Sequence, residues 1–501
     1  MLAKIKNIVK KILPKQQLRK LRPFYHGPRA WIAAAINGFP GKKMKLIGIT
    51  GTKGKTTSTV FLGRLLNLSG VKTGYISSAV INDGDFDLNK FNSGYTSTGE
   101  VLNDYKMSTI DPFVMQKLLK KMLENNCEFA VLEFTSQGLE AGRHWGLDGF
   151  NATLLLNIFP EHLDAHGGIE NYIKAKSLLA KNTRLNGVFI SDIDTSHLSI
   201  SLKCFEDRVD IKRVLIDFRD IVRSTKDLKE LKFNELEKFK ISQSIEGYQI
   251  LNYQDKKAET NFLAKFDAQN LGFGWVTMLQ LGLKPDLLKL SQIWGVSGRM
   301  EWVVRNGQVI YKMQNAKLKM QNLPLEPSLS IMVDYAHETE SLRQLLETLE
   351  KLKKAGDFDK VIHIFSVTGS GRDTWKRPQM ARVTASISDM IVYTSEDHDE
   401  HDNLQEIEQE VLEYLRQNRA KKVISELNRL GAFKKAIEAA KTEFGGQKVL
   451  IVSTAMGSQQ GMETANGVVE WDEREKWLEA LSCYTPSTQN IRQLDLTDNL
   501  V

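Results

Sequence analysis

Residues Lys45 to Thr57 read KLIGITGTKGKTT, and this stretch constrains the fold more than any other. Leu46, Ile47 and Ile49 form a short, partly β-branched apolar run, the pattern of a buried strand. Gly51 and Gly54 open a tight turn, and Lys55-Thr56-Thr57 leads into a helix predicted over Ser58 to Leu68. A strand, a glycine loop and Lys-Thr at a helix start make a cradle for phosphate. Backbone N–H groups and the helix N-terminus face the anion, the lysine reaches the β/γ-phosphates, and a threonine hydroxyl holds Mg²⁺. Gly51, Thr52, Lys53, Gly54, Lys55, Thr56 and Thr57 are therefore the expected nucleotide contacts.

The same alternation repeats downstream. Strands are predicted at Tyr75 to Val80, Phe129 to Glu133 and Thr153 to Ile158, and helices at Pro112 to Asn125 and Glu170 to Asn182. Such alternation implies a mostly parallel wound sheet, with ligands collected at the carboxyl ends of the strands. Gly51 to Thr57, Glu133 and Asn157 to His162 all fall there. Residues 82–110 are polar and turn-rich and read as a substrate-facing loop. Residues 188–265 read as a peripheral β-rich part, followed by helical patterns at Ala268 to Leu281 and Pro285 to Ile293.

After GVSGRME (Gly295 to Glu301) the pattern restarts. Strands are predicted at Leu329 to Val333, Val361 to Val367, Met390 to Thr394 and Lys448 to Ser453, and a last helix at Glu470 to Leu481. The predicted class is α/β: a P-loop central ATPase domain with a parallel sheet, plus a C-terminal Rossmann-like α/β domain. The expected boundaries are a short basic segment 1–44, a central domain 45–297, a C-terminal domain 298–483 and a tail 484–501. A chain of 501 residues, 42% of them hydrophobic, is long enough to give each domain a core.

Composition narrows the class further. The three cysteines, Cys127, Cys204 and Cys483, are far apart and form no CxxC, which excludes a disulfide framework and suits a reducing cytoplasm. The net charge of +7 hides a split: residues 1–82 hold 16 Lys or Arg and no acid, and the remainder holds 52 against 61 acids. That pattern is an acidic protein with a basic head, and no nucleic-acid partner is expected. Within the head, Leu2, Ile5, Ile8, Val9, Ile12 and Leu13 recur at helical spacing among lysines, and Pro14 is predicted to end the helix. Residues 1–22 therefore either dock on the body or make a peripheral contact with an anionic membrane surface. Residues 23–44 read as a turn, a short helix and a Pro/Gly linker.

Two further stretches carry chemistry. Glu133 ends an apolar strand beside the phosphate loop, where a nucleotide's Mg²⁺ needs an oxygen ligand. NIFPEHLDAHGGIENYIKAK (Asn157 to Lys176) gathers His162, Asp164 and His166 after a strand, a cluster able to hold a metal or polarise a phosphate.

GTKGKTT and the segments that follow resemble the Mur ligase superfamily, ATP-dependent amide-bond synthetases, and most closely its UDP-N-acetylmuramyl-tripeptide synthetases. Asn157 to Lys176 is similar to the family pattern DHLDxHG…YxxAK, with Glu161 for the first acid. LEFTSQGLEAGRHWG (Leu132 to Gly146) resembles EVSS(H/Q)xLxxxR, and FDAQN (Phe266 to Asn270) resembles FNxxN, with Asp267 for the first Asn. SGRME (Ser297 to Glu301), VDYAH (Val333 to His337) and VTGSGRDTWKRPQMA (Val367 to Ala381) resemble C-terminal segments of the family.

The resemblance implies a carboxylate–amine ligase that uses ATP, two Mg²⁺ sites and a carbamate formed from CO₂ on Lys176. It implies Thr56, Glu133, His162 and Lys176 for metal, with Lys55, His162 and Lys176 as the catalytic set. Asn270, Arg299, Asp334 and His337 would join the P-loop on ATP, and Ser108, Thr109, Ser136, Arg143 and Arg372 would face the substrate. The reaction implied is activation of a carboxylate as an acyl phosphate and its capture by an amine, adding an amino acid to a UDP-MurNAc-peptide in peptidoglycan synthesis.

Three departures qualify the likeness. The family's full N-terminal uridine domain is expected to be reduced here to residues 1–44. Its TTP loop reads Ser108-Thr109-Ile110. Its DNPR and GKGHE segments read SEDHDEHD (Ser395 to Asp402) and AMGSQ (Ala455 to Gln459). A Mur-type ligase acting on a lipid-linked, polymeric or folate-like acid is the alternative enzyme, and a nucleotide-gated scaffold at the membrane is the non-catalytic one. The acid-rich loop suits a cationic amine substrate such as lysine.

Overall fold

The computed structural model describes residues 15–91, 97–105, 107–219, 233–244, 248–311, 325–369 and 373–483. Residues 1–14, Arg372 and the tail from Tyr484 lie outside the described residues.

The first sheet has nine strands: β1 (Lys45–Thr50), β2 (Thr73–Ile76), β3 (Val80–Phe91), β4 (Ser97–Leu102), β5 (Phe129–Glu133), β6 (Phe150–Leu155), β7 (Thr183–Asp192), β8 (Lys212–Asp217) and β9 (Glu235–Lys238), in the order β4-β3-β2-β5-β1-β6-β7-β8-β9. All pairings are parallel except β2–β3 and β3–β4. The central strands β1 and β5 are continuous apolar runs because helices cover both faces. One face packs Phe61, Leu65, Trp275 and Phe218, and the other packs Met115, Leu119, Phe134 and Phe150. A flanking antiparallel sheet, β10 (Lys240–Gln243), β11 (Gln249–Tyr253) and β12 (Lys256–Glu259), covers part of the first face.

The second sheet comprises β13 (Glu301–Arg305), β14 (Gln308–Val309), β15 (Leu329–Val333), β16 (Lys360–Phe365), β17 (Met390–Tyr393), β18 (Val423–Ser425) and β19 (Val449–Ser453). Its order is β14-β13-β15-β19-β16-β17-β18, parallel from β15 onward. Its two faces carry separate cores, one around Phe433 and Trp477 and one around Leu346 and Phe365. A hairpin, β20 (Gly461–Thr464) and β21 (Gly467–Glu470), precedes the helix Glu473–Ser482.

Four expectations are corrected. Residues 15–36 form one 22-residue helix that continues through Pro23 and Pro28. Proline removes a helical N–H, but Gly27, Ala30, Ala33 and Ala34 bury the helix against the body, and this packing holds it. Residues 82–110 contain β3 and β4 rather than one loop. Their polar pattern hid a buried pair: Arg64 grips Glu100 at 2.8 Å through Nε and again at 2.8 Å through Nη2, and the Tyr75 hydroxyl donates to the same carboxylate. The peripheral β-rich reading of 188–265 stands: Val188 to Ile190 and Val214 to Ile216 lie in β7 and β8 toward one edge of the main sheet, and Gln249 to Leu251 lies in β11 of the flanking one. Pro285 to Ile293 contains only a short 3₁₀ turn, Leu287–Gln292, and the last helix starts at Glu473 rather than at Glu470, which ends β21.

Candidate active site

The phosphate loop is shaped from the end of β6. The Asn157 side-chain oxygen accepts from the N–H groups of Thr52 at 3.1 Å and Lys53 at 2.8 Å, and its amide donates to the Lys53 carbonyl at 3.1 Å. Gly54 sits at φ +79°, and a Cβ there would lie 2.6 Å from the Asn270 Oδ1. The left-handed backbone calls for glycine, and a Cβ would also push the Asn270 side chain aside. Asn270 comes from the helix Lys265–Gln280, which packs on the helix Lys55–Leu68, and its oxygen accepts from the Ser58 hydroxyl at 3.0 Å.

The loop opens into a cavity of about 530 Å³ between the two sheets' carboxyl ends. Hard oxygen donors converge on one wall. The Thr56 hydroxyl lies 3.1 Å from Glu133 and 2.6 Å from the Ser78 hydroxyl, and Ser78 N–H donates to Glu133 at 2.7 Å. Among the described residues, no group of three or more His, Cys, Asp or Glu is placed to hold a metal ion alone. Thr56, Ser78 and Glu133 instead fit a hard cation that shares its ligands with phosphate.

Lys55 donates to the Thr52 carbonyl at 2.9 Å, and burial pushes its ammonium pKa down against the opposing pull of Glu133 and Glu161. Lys176 stands behind the loop, donating to the Gly51 carbonyl at 2.6 Å and lying 4.5 Å from the Tyr172 ring centroid. Burial and then Lys55 hold its pKa well below the ordinary lysine value.

The opposite wall comes from the second sheet. Asp334 accepts from the N–H groups of Met300 at 2.8 Å and Ala336 at 2.7 Å, and Arg299 stacks 4.3 Å from the Tyr335 ring centroid. Gly298 packs SGRME against AMGSQ: a Cβ on it would lie 2.1 Å from the Ser458 backbone nitrogen. Polar contacts line and cross the cleft. Lys53 meets Glu338 at 2.7 Å and Glu161 at 3.3 Å, Glu161 lies 3.7 Å from His337, and His162 lies 3.4 Å from Asp373. Burial alone would lower the Lys53 ammonium, but Glu161 and Glu338 outweigh it and raise its pKa. Burial and the nearby Lys53 push His337 down, so its imidazole is neutral.

Thr52 to Thr57, Ser108, Glu133, His162, Asn270, Arg299, Asp334 and His337 all line this cavity. Gly51, Thr109, Ser136, Arg143 and Lys176 do not. Thr109 accepts from the Thr135 N–H at 2.8 Å, and Arg143 donates to the Thr109 carbonyl, so these residues brace one another. Ser136 lies 3.0 Å from His166 Nε2, whose buried ring is pushed down to about 4 by desolvation and by His162. His166 is thereby removed from the metal cluster read from the sequence, and Asp164 is exposed. Ser78 and Glu338 were not singled out by sequence, and Asn157 was placed at a strand end without a role. Ser78 and Asn157 follow strands β2 and β6, so the strand-end rule was the available signal.

Residues 49–276 match the family Mur ligase middle domain, and residues 320–456 match the family Mur ligase, glutamate ligase domain. Together the two matches span well over half of the chain. It belongs to the Mur ligase superfamily. As a Mur ligase it is an ATP-dependent acid–amine ligase. Relatives include the UDP-N-acetylmuramoyl-L-alanyl-D-glutamate--2,6-diaminopimelate ligases of Clostridium botulinum and Aquifex aeolicus. The first is 28% identical, covering 87% of this chain and 78% of the relative; the second is 29% identical, covering 81% and 71%. Among solved structures, a diaminopimelate ligase of the same name matches with TM-score 0.52 at 19% identity, covering 93% of this chain and 83% of that one. The folylpolyglutamate synthase of Mycobacterium tuberculosis complexed with ADP matches with TM-score 0.57 at 14% identity, covering 91% and 95%. At these identities the structural likeness speaks for the fold.

Proposed function

We propose that this Mur ligase adds an amino acid to the terminal carboxylate of a UDP-MurNAc-dipeptide, with residues 45–297 and 298–483 as its central and C-terminal domains. The observation that carries the reading is the two-walled cavity, with Lys55, Thr56 and Glu133 facing Arg299, Asp334 and His337 across it. Lys55 neutralises the transferring phosphoryl group, and the incoming polyphosphate favours its ammonium form against burial. Thr56, Ser78 and Glu133 would hold one Mg²⁺, which supplies positive charge beside the phosphates. His162 and a carbamate on Lys176 would serve a second. Asn270, Arg299, Asp334 and His337 position ATP from both walls, and Ser108 leads the braced segment with Thr109, Ser136 and Arg143 toward the acceptor; Arg372 belongs to the same role.

The acceptor carboxylate attacks the γ-phosphorus and displaces ADP. The resulting acyl phosphate is then attacked by an amine, which expels phosphate and gives the amide. The ion pair from Lys53 to Glu338 closes the cleft against water while the acyl phosphate exists. The test is ADP release with ATP, bicarbonate, UDP-MurNAc-dipeptide and a panel of amino acids including lysine. Release that needs both the nucleotide sugar and one amino acid supports the reading. Release only with a lipid-linked or polymeric acid would replace the acceptor.

A further inference from the structure

The helix Lys15–Ile36 turns its small residues inward and its large apolar ones outward. Gly27, Ala30, Ala33 and Ala34 are buried, and a Cβ on Gly27 would lie 2.4 Å from the Trp145 ring. On the outer side Phe24 is 77% exposed, Ile36 70%, Trp31 55%, Leu21 49%, Ile32 47% and Tyr25 44%. Positions 21, 24, 25, 31, 32 and 36 follow the i, i+3, i+4 spacing of a helix, so they form one stripe. Scattered apolar side chains on a surface need no explanation, but a continuous aromatic stripe marks an interaction site.

The segment that carries the stripe has charge of one sign, although Asp111 and Glu140 from neighbouring elements pair with its Arg29 and Arg19. Residues 15–45 contain eight Lys or Arg and no Asp or Glu. Arg22, Lys42 and Lys43 are exposed. Lys42 lies 5.0 Å from the Phe39 ring centroid, and Phe39 meets Trp31 edge-on at 5.5 Å, so stripe and cations are one surface. A second copy docked on this face through a two-fold axis would bring the exposed cations Arg22, Lys42 and Lys43 of both copies onto one interface. An anionic bilayer answers both features: aromatic rings settle at the headgroup level, and lysines and arginines meet lipid phosphates.

We propose that this face docks the protein on an anionic phospholipid bilayer, with Phe24, Trp31 and Ile36 entering the headgroup boundary and Arg22, Lys42 and Lys43 facing the phosphates. The surface differs from the 1–22 contact read from sequence, being centred on residues 21–43. It stands apart from the choice of acceptor. The same helix reaches the acceptor side of the molecule, where Arg29 pairs with Asp111 at 3.3 Å and Arg19 with Glu140 at 3.3 Å, so docking holds that side near lipid.

The test is cosedimentation of the full chain with phosphatidylcholine vesicles, with and without phosphatidylglycerol. Wild type should pellet with the anionic vesicles and be released by salt. The variant Phe24→Ser/Trp31→Ser/Ile36→Ser should partition at least about tenfold more weakly. Lys42→Glu/Lys43→Glu should lose the preference for anionic lipid, and it reports even if the triple variant does not fold. Failure of wild type to bind anionic vesicles overturns the proposal, as does equal binding by wild type and both variants. A wild-type dimer without lipid binding, dispersed by the triple variant, would assign the stripe to a second copy instead.

Discussion

Asp267 offers the sharpest test of the site's electrostatics. It occupies the place where the family segment has Asn, lines the cavity and lies in the first turn of the helix Lys265–Gln280. Desolvation by the cavity walls, and then Asp334, push its carboxyl from 3.8 up to about 8. The helix N-terminus works the other way by about 0.3–1 kcal/mol, too little to cancel that rise. At neutral pH the group is therefore a protonated acid, with an O–H donor beside a carbonyl acceptor where an amide has an NH₂ beside one.

The sign follows from linkage. The fold favours the protonated form, so the stability it contributes is fully present below the unfolded value of 3.8 and is lost as pH rises to about 8. Between pH 6 and pH 8 the loss is about 2 kcal/mol, since one pKa unit is worth about 1.4 kcal/mol. Asp267→Asn removes the titration. Urea unfolding of both proteins at pH 6, 7, 8 and 9 should show the variant gaining about 2 kcal/mol on wild type from pH 6 to 8 and little beyond. ATP affinity of wild type should weaken over the same window, and that of the variant should stay level. A stability difference that is flat from pH 6 to 9 would show Asp267 already ionised in the fold and refute the argument.

Two other substitutions probe the loop and the buried amine. Gly54→Ala forces a Cβ to 2.6 Å from Asn270 Oδ1 in a left-handed backbone; it should cost about 1–3 kcal/mol of stability and weaken ATP binding, read by thermal shift and calorimetry. Lys176→Ala should abolish bicarbonate activation of ADP release and lower turnover at least about a hundredfold; full turnover in CO₂-depleted buffer would remove the carbamate role.

Local sequence determined the phosphate loop, the buried strands β1, β5, β15 and β19, and the family segments at their ends. Glycine geometry, apolar runs and helix starts act within a few residues, so they are legible one stretch at a time. Residue type alone also pointed to Lys55, Thr56 and Glu133, because phosphate and Mg²⁺ demand those groups at those positions, whereas Asn270 was reached only through the family resemblance. Only tertiary structure decided the rest. Glu100 makes sense inside the sheet because Arg64 and Tyr75 reach it from other strands and helices. The helix through Pro23 and Pro28 persists because its glycine and alanine face is packed. His166 left the metal cluster for Ser136, and Lys53 found Glu338 across the cleft. In each case the deciding energy is desolvation balanced by a partner distant in sequence, and that balance exists only once the chain has brought the two together.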